Sequence, residues 1–302
     1  MSASTYVAAV AALVLLGAPT SVAAQADGLS IYISADLEGV TGAVTSEQLG
    51  VGGFEYQRFR EFMTLEVIAA IDAAREAGAT RIVVSDSHGN GQNLLIERFA
   101  PDVLIVRSWP RPLMMMEGVD ASFDAAFFIG YHASTTNTRG VRAHTMSSAN
   151  LTAVRLNGIE MAEGSLNAAI AGHFGVPVVM ISGDDAVVEE VRGLLGDIEG
   201  AVVKEAISFH SATTLTPEAG RLRITEAVTR AMNRLGDFEP YQLEAPYAVE
   251  LSFKSYTAAE LLAYLPNVER LDAHTIKFVG QDMIEVSMFL EFAMNYSAGI
   301  TP

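Results

Sequence analysis

The sequence predicts an α/β fold: a mainly parallel sheet flanked by helices, with an α+β C-terminal subdomain. Three observations lead there. From residue 29 onward, short β-branched runs alternate with amphipathic stretches of helical period. The helical stretches separate consecutive strands, which implies right-handed crossovers and parallel pairing. Beyond about residue 203 the pattern changes, and strands of strict apolar–polar alternation replace the continuous apolar runs. The chain has 302 residues, 50% of them apolar, so a substantial core can form in one large domain or two modest ones.

The elements follow in order. "LSIYISA" (29–35) is a strand of the kind buried on both faces. In "EYQRFREFMTLEVIAAIDAAREAG" (55–78), Tyr56, Phe59, Met63, Val67, Ile71 and Ala74 recur by threes and fours, one helical face. Gly78 ends it, at a position that favours a left-handed backbone. "TRIVVSDSH" (80–88), "DAAFFIGYH" (124–132) and "GVPVVMISGDD" (175–185) are the next strands, and "MAEGSLNAAIAGHFG" (161–175) is a helix closed by Gly175. Asp184 and Asp185 read as caps of a helix beginning near Ala186. Further on, "PEAGRLRITEAVTRAMNRLGDF" is a long amphipathic helix, "YAVELSFKS" a strand, "TAAELLAYLP" a helix, "HTIKFVG" a strand and "DMIEVSMFLEFAMNYSAG" a final helix. No Pro-, Gly- or Ser-rich linker interrupts residues 29–300, so one domain is expected there, with a C-terminal subdomain from about 205.

Composition excludes several functions. A formal net charge of −17 opposes binding to a phosphate backbone, so nucleic acid is not an expected partner. The absence of cysteine removes disulfides, thiolate metal ligands and a Cys nucleophile. "YVAAVAALVLLGAPTSVAA" (6–24) is apolar, broken by Gly17 and Pro19, and ends in small residues suited to cleavage after Ala24. Residues 1–24 are therefore expected to be an export signal, although no Lys or Arg precedes the apolar run. The mature protein would be periplasmic or secreted, with no stable membrane span after cleavage.

Chemistry concentrates where strands end. In "ISADLEGVTG" the strand runs out into Asp36 and Glu38, two positions apart and so directed to one side. Two carboxylates held together need a compensating cation. The second strand ends in Asp86 and His88, the third in His132, and Glu163 opens the helix that follows. Ligands of open α/β sheets gather at this carboxyl rim. Taken singly, Asp36 suits a turn or cap, Glu38 and His88 a solvated loop, and Glu163 a helix dipole. Together, Asp36, Glu38, His88, His132 and Glu163 form an oxygen- and imidazole-rich set suited to zinc, and five ligands suit two ions sharing a carboxylate. His144, in "GVRAHTMSS", stands apart from that set and could act as a free acid/base. His173, His210 and His274 read as structural.

The motifs "SADLEG", "DSHG", "GYHA", "RAHTM" and "AEGSLNA", with "SGDD", "VVKEAIS", "AGRL" and "DMIE", occur in an order and context that resembles the zinc D-aminopeptidases of peptidase family M55, the DppA type. The resemblance runs from about residue 30 to 297. It implies that Asp36, Glu38, His88, His132 and Glu163 bind two Zn2+ per chain with Asp36 as the bridge. It also implies that His144 is the catalytic residue, and that the protein is a homo-oligomer, a decamer, acting on short peptides with N-terminal D-residues such as D-alanine. Three features depart from the family pattern: the export signal, one extra residue between His132 and His144, and the loop "TSEQLGVGGFEYQ" (45–57).

The expected activity is metal-assisted hydrolysis of the N-terminal amide. Two alternatives use the same ligands: a dinuclear phosphoesterase, with Arg139 or Arg142 holding phosphate, and a non-catalytic zinc-dependent peptide-binding protein.

Overall fold

The computed structural model describes residues 28–297, together with Met1. The expected export signal falls, Met1 aside, outside these residues. The larger of two sheets has seven strands in the order β3 (Leu104–Val106), β2 (Ala79–Asp86), β1 (Leu29–Ala35), β4 (Ala125–Tyr131), β7 (Val178–Asp184), β8 (Glu199–Ser208) and β9 (Ser211–Thr214). All its neighbours pair in parallel except β8 and β9, so the expected mainly parallel α/β architecture is present. The second sheet is antiparallel throughout, in the order β11 (Val268–Arg270), β12 (Thr275–Gly280), β10 (Tyr247–Phe253), β5 (Leu151–Leu156) and β6 (Ile159–Glu160).

Side-chain alternation along β1 divides the core. Ile31, Ile33 and Ala35 face helices α2 (Tyr56–Glu76) and α5 (Pro217–Met232), which pack against each other over one face of the large sheet. Tyr32, on the opposite face, joins a cluster with Phe128, α3 (Glu163–His173), α4 (Asp185–Leu195) and the second sheet. Ile31 and Ile33 are wholly buried, each worth about 1.5–3 kcal/mol relative to exposure. The second sheet is completed by α6 (Tyr256–Leu262) and by α7 (Met283–Asn295), which packs on β12 and also reaches α3. A short helix, α1 (Ser46–Leu49), opens with a capping box on Thr45.

Two boundaries differ from expectation. The subdomain expected from about residue 205 would begin inside β8, which is hydrogen-bonded in parallel to β7 and belongs to the large sheet. The antiparallel layer instead recruits β5 and β6 from before α3, because β10 pairs with β5 across about ninety residues of chain, from Val249↔Leu156 to Phe253↔Leu151. The last helix ends at Asn295, where the backbone of Tyr296 turns extended.

Candidate metal centre

Strand order in the large sheet reverses between β1 and β4: the chain steps outward from β1 to β2 and β3, then restarts at β4 on the other side. Such a switch point opens a crevice at the carboxyl ends of the strands. Asp36 leaves β1 and His132 leaves β4 on its two sides. What lets them meet is a contact between two backbones. Asp36 N–H donates to Ile129 O at 2.8 Å, and Gly39 N–H donates to Gly130 O at 2.7 Å. A Cβ at Gly39 would lie 2.0 Å from Tyr131 O, and one at Gly130, whose φ is +75°, would lie 2.2 Å from Asp36 O. Only glycine fits either place. The glycines of "LEG" and "GYH" thus position the acidic and imidazole groups between them.

The five expected ligands converge. His88 Nδ1 lies 3.2 Å from Asp36 Oδ1 and 2.7 Å from Glu38 Oε2. His132 Nε2 lies 3.3 Å from both Asp36 Oδ2 and Glu163 Oε2. Each oxygen of Asp36 therefore faces a different histidine. The far nitrogens are committed: His88 Nε2 meets Leu49 O at 2.8 Å and His132 Nδ1 meets Ala133 O at 3.1 Å. A carbonyl can only accept, so each ring donates outward from that nitrogen, and the inner nitrogen, now facing carboxylates, is the one a metal would take in exchange for its proton. Asp36 Oδ2 and His132 Nε2, which face each other, and Glu38 Oε2, which faces His88 Nδ1, are buried without a partner in hydrogen-bond geometry. That is the arrangement a divalent cation satisfies.

His144 stacks on His132, ring centroids 4.0 Å apart and planes within 6°. Its Nδ1 meets Arg142 O at 2.7 Å, which leaves the Nε2 lone pair facing Glu163 Oε1 at 3.8 Å and Glu38 Oε1 at 4.0 Å. Arg142 and Met146, on either side, both hold left-handed backbones, with φ of 56° and 60°. The Met146 amide bonds Glu163 Oε1 at 2.6 Å, so this unusual local conformation orients an acid and an imidazole together. The loop is tied down where Val141 N–H donates to Asp184 Oδ2, a residue that also caps α4 through Val187 N–H. The cap role expected of Asp184 is what the structure shows. Among the described residues, the atoms able to ligate an ion form two groups, Asp36–Glu38–His88 and His132–His144–Glu163.

Electrostatics reflect crowded negative charge. Burial raises the pKa of Asp36, and the neighbouring Glu38 raises it further. Burial would also raise Glu38 and Glu163, but the charges of His88 and His132 respectively outweigh it and hold both carboxyls low. In turn, burial would lower His88 and His132, yet Glu38 and Glu163 lift them well above the usual imidazole range. His144 is the exception. Burial, then the charge of His132, lowers its pKa, so it favours the neutral form that can accept a proton at Nε2.

The centre opens into a cavity of about 320 Å³. Its outer walls include Trp109, Met114, Met146, Asn150, Glu291 and Met294. No Lys or Arg lines it among the described residues. Arg139 pairs with Glu189 at the surface and Arg142 lies over the Phe209 ring, so neither is placed to hold a phosphate there. His210 and His274 meet backbone carbonyls, and His173 packs edge-on to Phe174, all away from the centre. Two supports escaped sequence reasoning. The departing loop 45–57 supplies the Leu49 carbonyl that orients His88. Lys204, wholly enclosed in β8, donates to Glu38 O (2.5 Å), Val40 O (3.2 Å) and Ala43 O (2.6 Å). A lysine inside the apolar run "AVVKEA" was a usable signal, since a buried ammonium needs acceptors.

Known proteins resemble this chain in sequence and in fold. A family model described as peptidase M55, D-aminopeptidase, matches residues 29–292. A D-aminopeptidase of Bacillus subtilis (strain 168) is 33% identical over 262 residues, covering 85% of this chain and 93% of its own. The solved structure described as the Zn-dependent D-aminopeptidase DppA from Bacillus subtilis, a self-compartmentalizing protease, superposes with a TM-score of 0.84 at 30% identity. It covers 89% of this chain and 99% of the other.

Proposed function

This chain belongs to peptidase family M55, the D-aminopeptidases, and from that premise we propose that it is a dinuclear zinc enzyme removing an N-terminal D-residue, such as D-alanine, from short peptides. The observation that carries the dinuclear reading is the trio of buried, unpartnered atoms on Asp36, Glu38 and His132, with each Asp36 oxygen turned to a different histidine. Asp36, Glu38 and His88 would hold one ion, and Asp36, His132 and Glu163 the other, with Asp36 as the bridge. The zinc dependence of the related structure supports the choice of metal. A bound zinc pair supplies Lewis-acid polarisation and a water acidic enough to be hydroxide near neutrality.

The remaining chemistry belongs to the chain. His144 Nε2 is farther from its carboxylate neighbours, at 3.8 and 4.0 Å, than the other imidazoles are from theirs. With its Nδ1 proton held by Arg142 O, Nε2 is free to take a proton and return it to the departing amine. We therefore assign His144 as general acid/base and not as a ligand. Among the described residues no Lys or Arg lines the cavity, which disfavours a phosphoester substrate, since that would profit from a cation beyond the metals.

The protein is further proposed to be exported by residues 1–24 and to act as a homo-oligomer, a decamer on the family pattern; the self-compartmentalizing relative supports assembly. The test of function is turnover of paired D- and L-amino-terminal peptides by zinc-loaded protein. Clear preference for the D series is expected. Binding without turnover would replace the enzyme reading with peptide capture, and hydrolysis of phosphoesters alone would replace it with a phosphoesterase. Mass spectrometry of exported protein should find Gln25 at the amino terminus.

A further inference from the structure

The cavity holds one carboxylate that the metal centre does not use. Glu291, in α7, is 7% exposed and lines the cavity together with the five ligands and His144. Its Oε1 accepts the backbone N–H of Arg111 at 3.3 Å, whereas its Oε2 is buried with no hydrogen-bond partner. The nearest guanidinium is already engaged: Arg111 side-chain nitrogens donate to Ser108 O, to Ser85 Oγ at 2.9 Å and to Asp86 O at 2.8 Å. Asn295, one turn on in α7, and the Arg111 charge both favour the ionised carboxylate, yet Oε2 has no partner in hydrogen-bond geometry. A charge removed from water in this way is costly unless something cationic meets it.

We infer that Glu291 receives the free α-ammonium of the substrate's N-terminal residue through Oε2. The inference rests on the aminopeptidase reading above. The α-ammonium is the one cation shared by every such substrate, whatever its side chain. Asp36, Glu38 and Glu163 are committed to the metals on that reading, so Glu291 is the carboxylate left to meet it. Among the described residues no Lys or Arg side chain lines the cavity, so none there competes with the substrate for Oε2. Glu291 would thus select the amino end of a peptide, a specificity role separate from bond cleavage.

Glu291→Gln tests this, because the amide keeps an oxygen for the Arg111 N–H and puts a neutral NH2 donor where the charged Oε2 was. Zinc content and melting temperature should stay at wild-type values. Two probes differ solely in the amine: D-alanyl-p-nitroanilide against propionyl-p-nitroanilide for turnover, and D-alaninamide against propanamide for calorimetric binding to zinc-loaded protein. Wild type should favour the amine by about 10–100-fold, the worth of one charge-assisted hydrogen bond, and Glu291→Gln should abolish most of that preference through KM with kcat little changed. Glu291→Asp, which keeps the charge but withdraws it by one methylene, should fall between. An amine preference that survives in Glu291→Gln overturns the inference, as does its absence from wild type. Failure of wild type to hydrolyse any aminoacyl anilide or peptide would instead overturn the aminopeptidase reading, and the binding comparison would still decide the role of Glu291.

Discussion

The two sheets meet at one cavity and contribute to it differently. The parallel sheet, through the segments that follow β1, β2 and β4, presents Asp36, Glu38, His88, His132 and His144, whereas Glu163 opens α3 directly after β6 of the antiparallel sheet. Apart from Glu163, no expected ligand comes from the antiparallel side among the described residues; the helix packed on that sheet, α7, brings Glu291, Met294 and Asn295 to the facing wall. Ligand atoms must be placed to within a few tenths of an ångström, and β1 and β4, buried on both faces, give such placement. A wall needs shape and one or two polar groups. The comparison predicts that changes on the parallel side act on metal and rate, whereas changes on the α7 side act on which substrate is accepted.

The largest effect should come from Asp36→Ala. A bridging carboxylate serves both ions, so elemental analysis after zinc reconstitution should find both lost and activity at background. His88→Ala should mostly loosen one ion. Full zinc occupancy in Asp36→Ala would remove the bridge and weaken the division between the sheets.

Next in size is His144→Ala. Zinc content and melting temperature should hold, while the rate falls about 10²–10⁴-fold, the usual contribution of a positioned acid/base. Loss of zinc, with activity partly restored by excess metal, would make His144 a fourth ligand beside Asp36, His132 and Glu163 instead. Activity falling only with the folded fraction would make it structural.

How much of this was legible in the sequence follows the same division. The helical face of Tyr56, Phe59, Met63 and Val67 is buried as its spacing implies, and the strand-end rule pointed Asp36, Glu38, His88 and His132, with Glu163 at a helix start, to one rim, where the structure groups them. Those signals are local or topological. Strands β3, β6, β9 and β11 have two to four residues each, too few for a period to register. The pairing of β5 with β10 is set by contacts about ninety residues apart, which no local pattern encodes. Glu291 eluded notice for the same reason: within α7 it reads as one more helix acid, and only the packing of that helix brings it to the cavity.

A smaller effect is expected where the parallel side supports the centre without touching it. Lys204→Met keeps the length of the side chain and leaves the carbonyls of Glu38, Val40 and Ala43 without their shared donor. Stability should fall by about 3 kcal/mol, read as a melting temperature lower by about 6–12 °C. Zinc affinity or kcat should drop about 10–100-fold, as when the group that orients a ligand is removed. Lys204→Met with normal zinc affinity and rate would show that the 36–43 segment holds its shape without Lys204, through its remaining backbone hydrogen bonds.

The mildest prediction is the one that probes the other side. Met294 of α7 lines the catalytic cavity and also a second cavity of about 230 Å³ bounded by Phe253, Lys254 and Ala258, and Asn150 is shared between the two in the same way. Met294 thus stands as part of the partition between them. Met294→Ala removes the long thioether chain and should join the spaces, while every metal ligand and His144 stay where they are. Bulky N-terminal D-residues such as D-leucine or D-phenylalanine would gain room, and small ones would lose packing. The ratio of kcat/KM for a D-leucyl over a D-alanyl peptide should rise by about 10-fold, since a methylene or two of apolar fit is worth that much. Zinc content should be unchanged. A uniform fall in kcat for all substrates, with the ratio fixed, would mean that the α7 wall helps to hold the centre itself, and the separation of chemistry from selection between the two sheets would not stand.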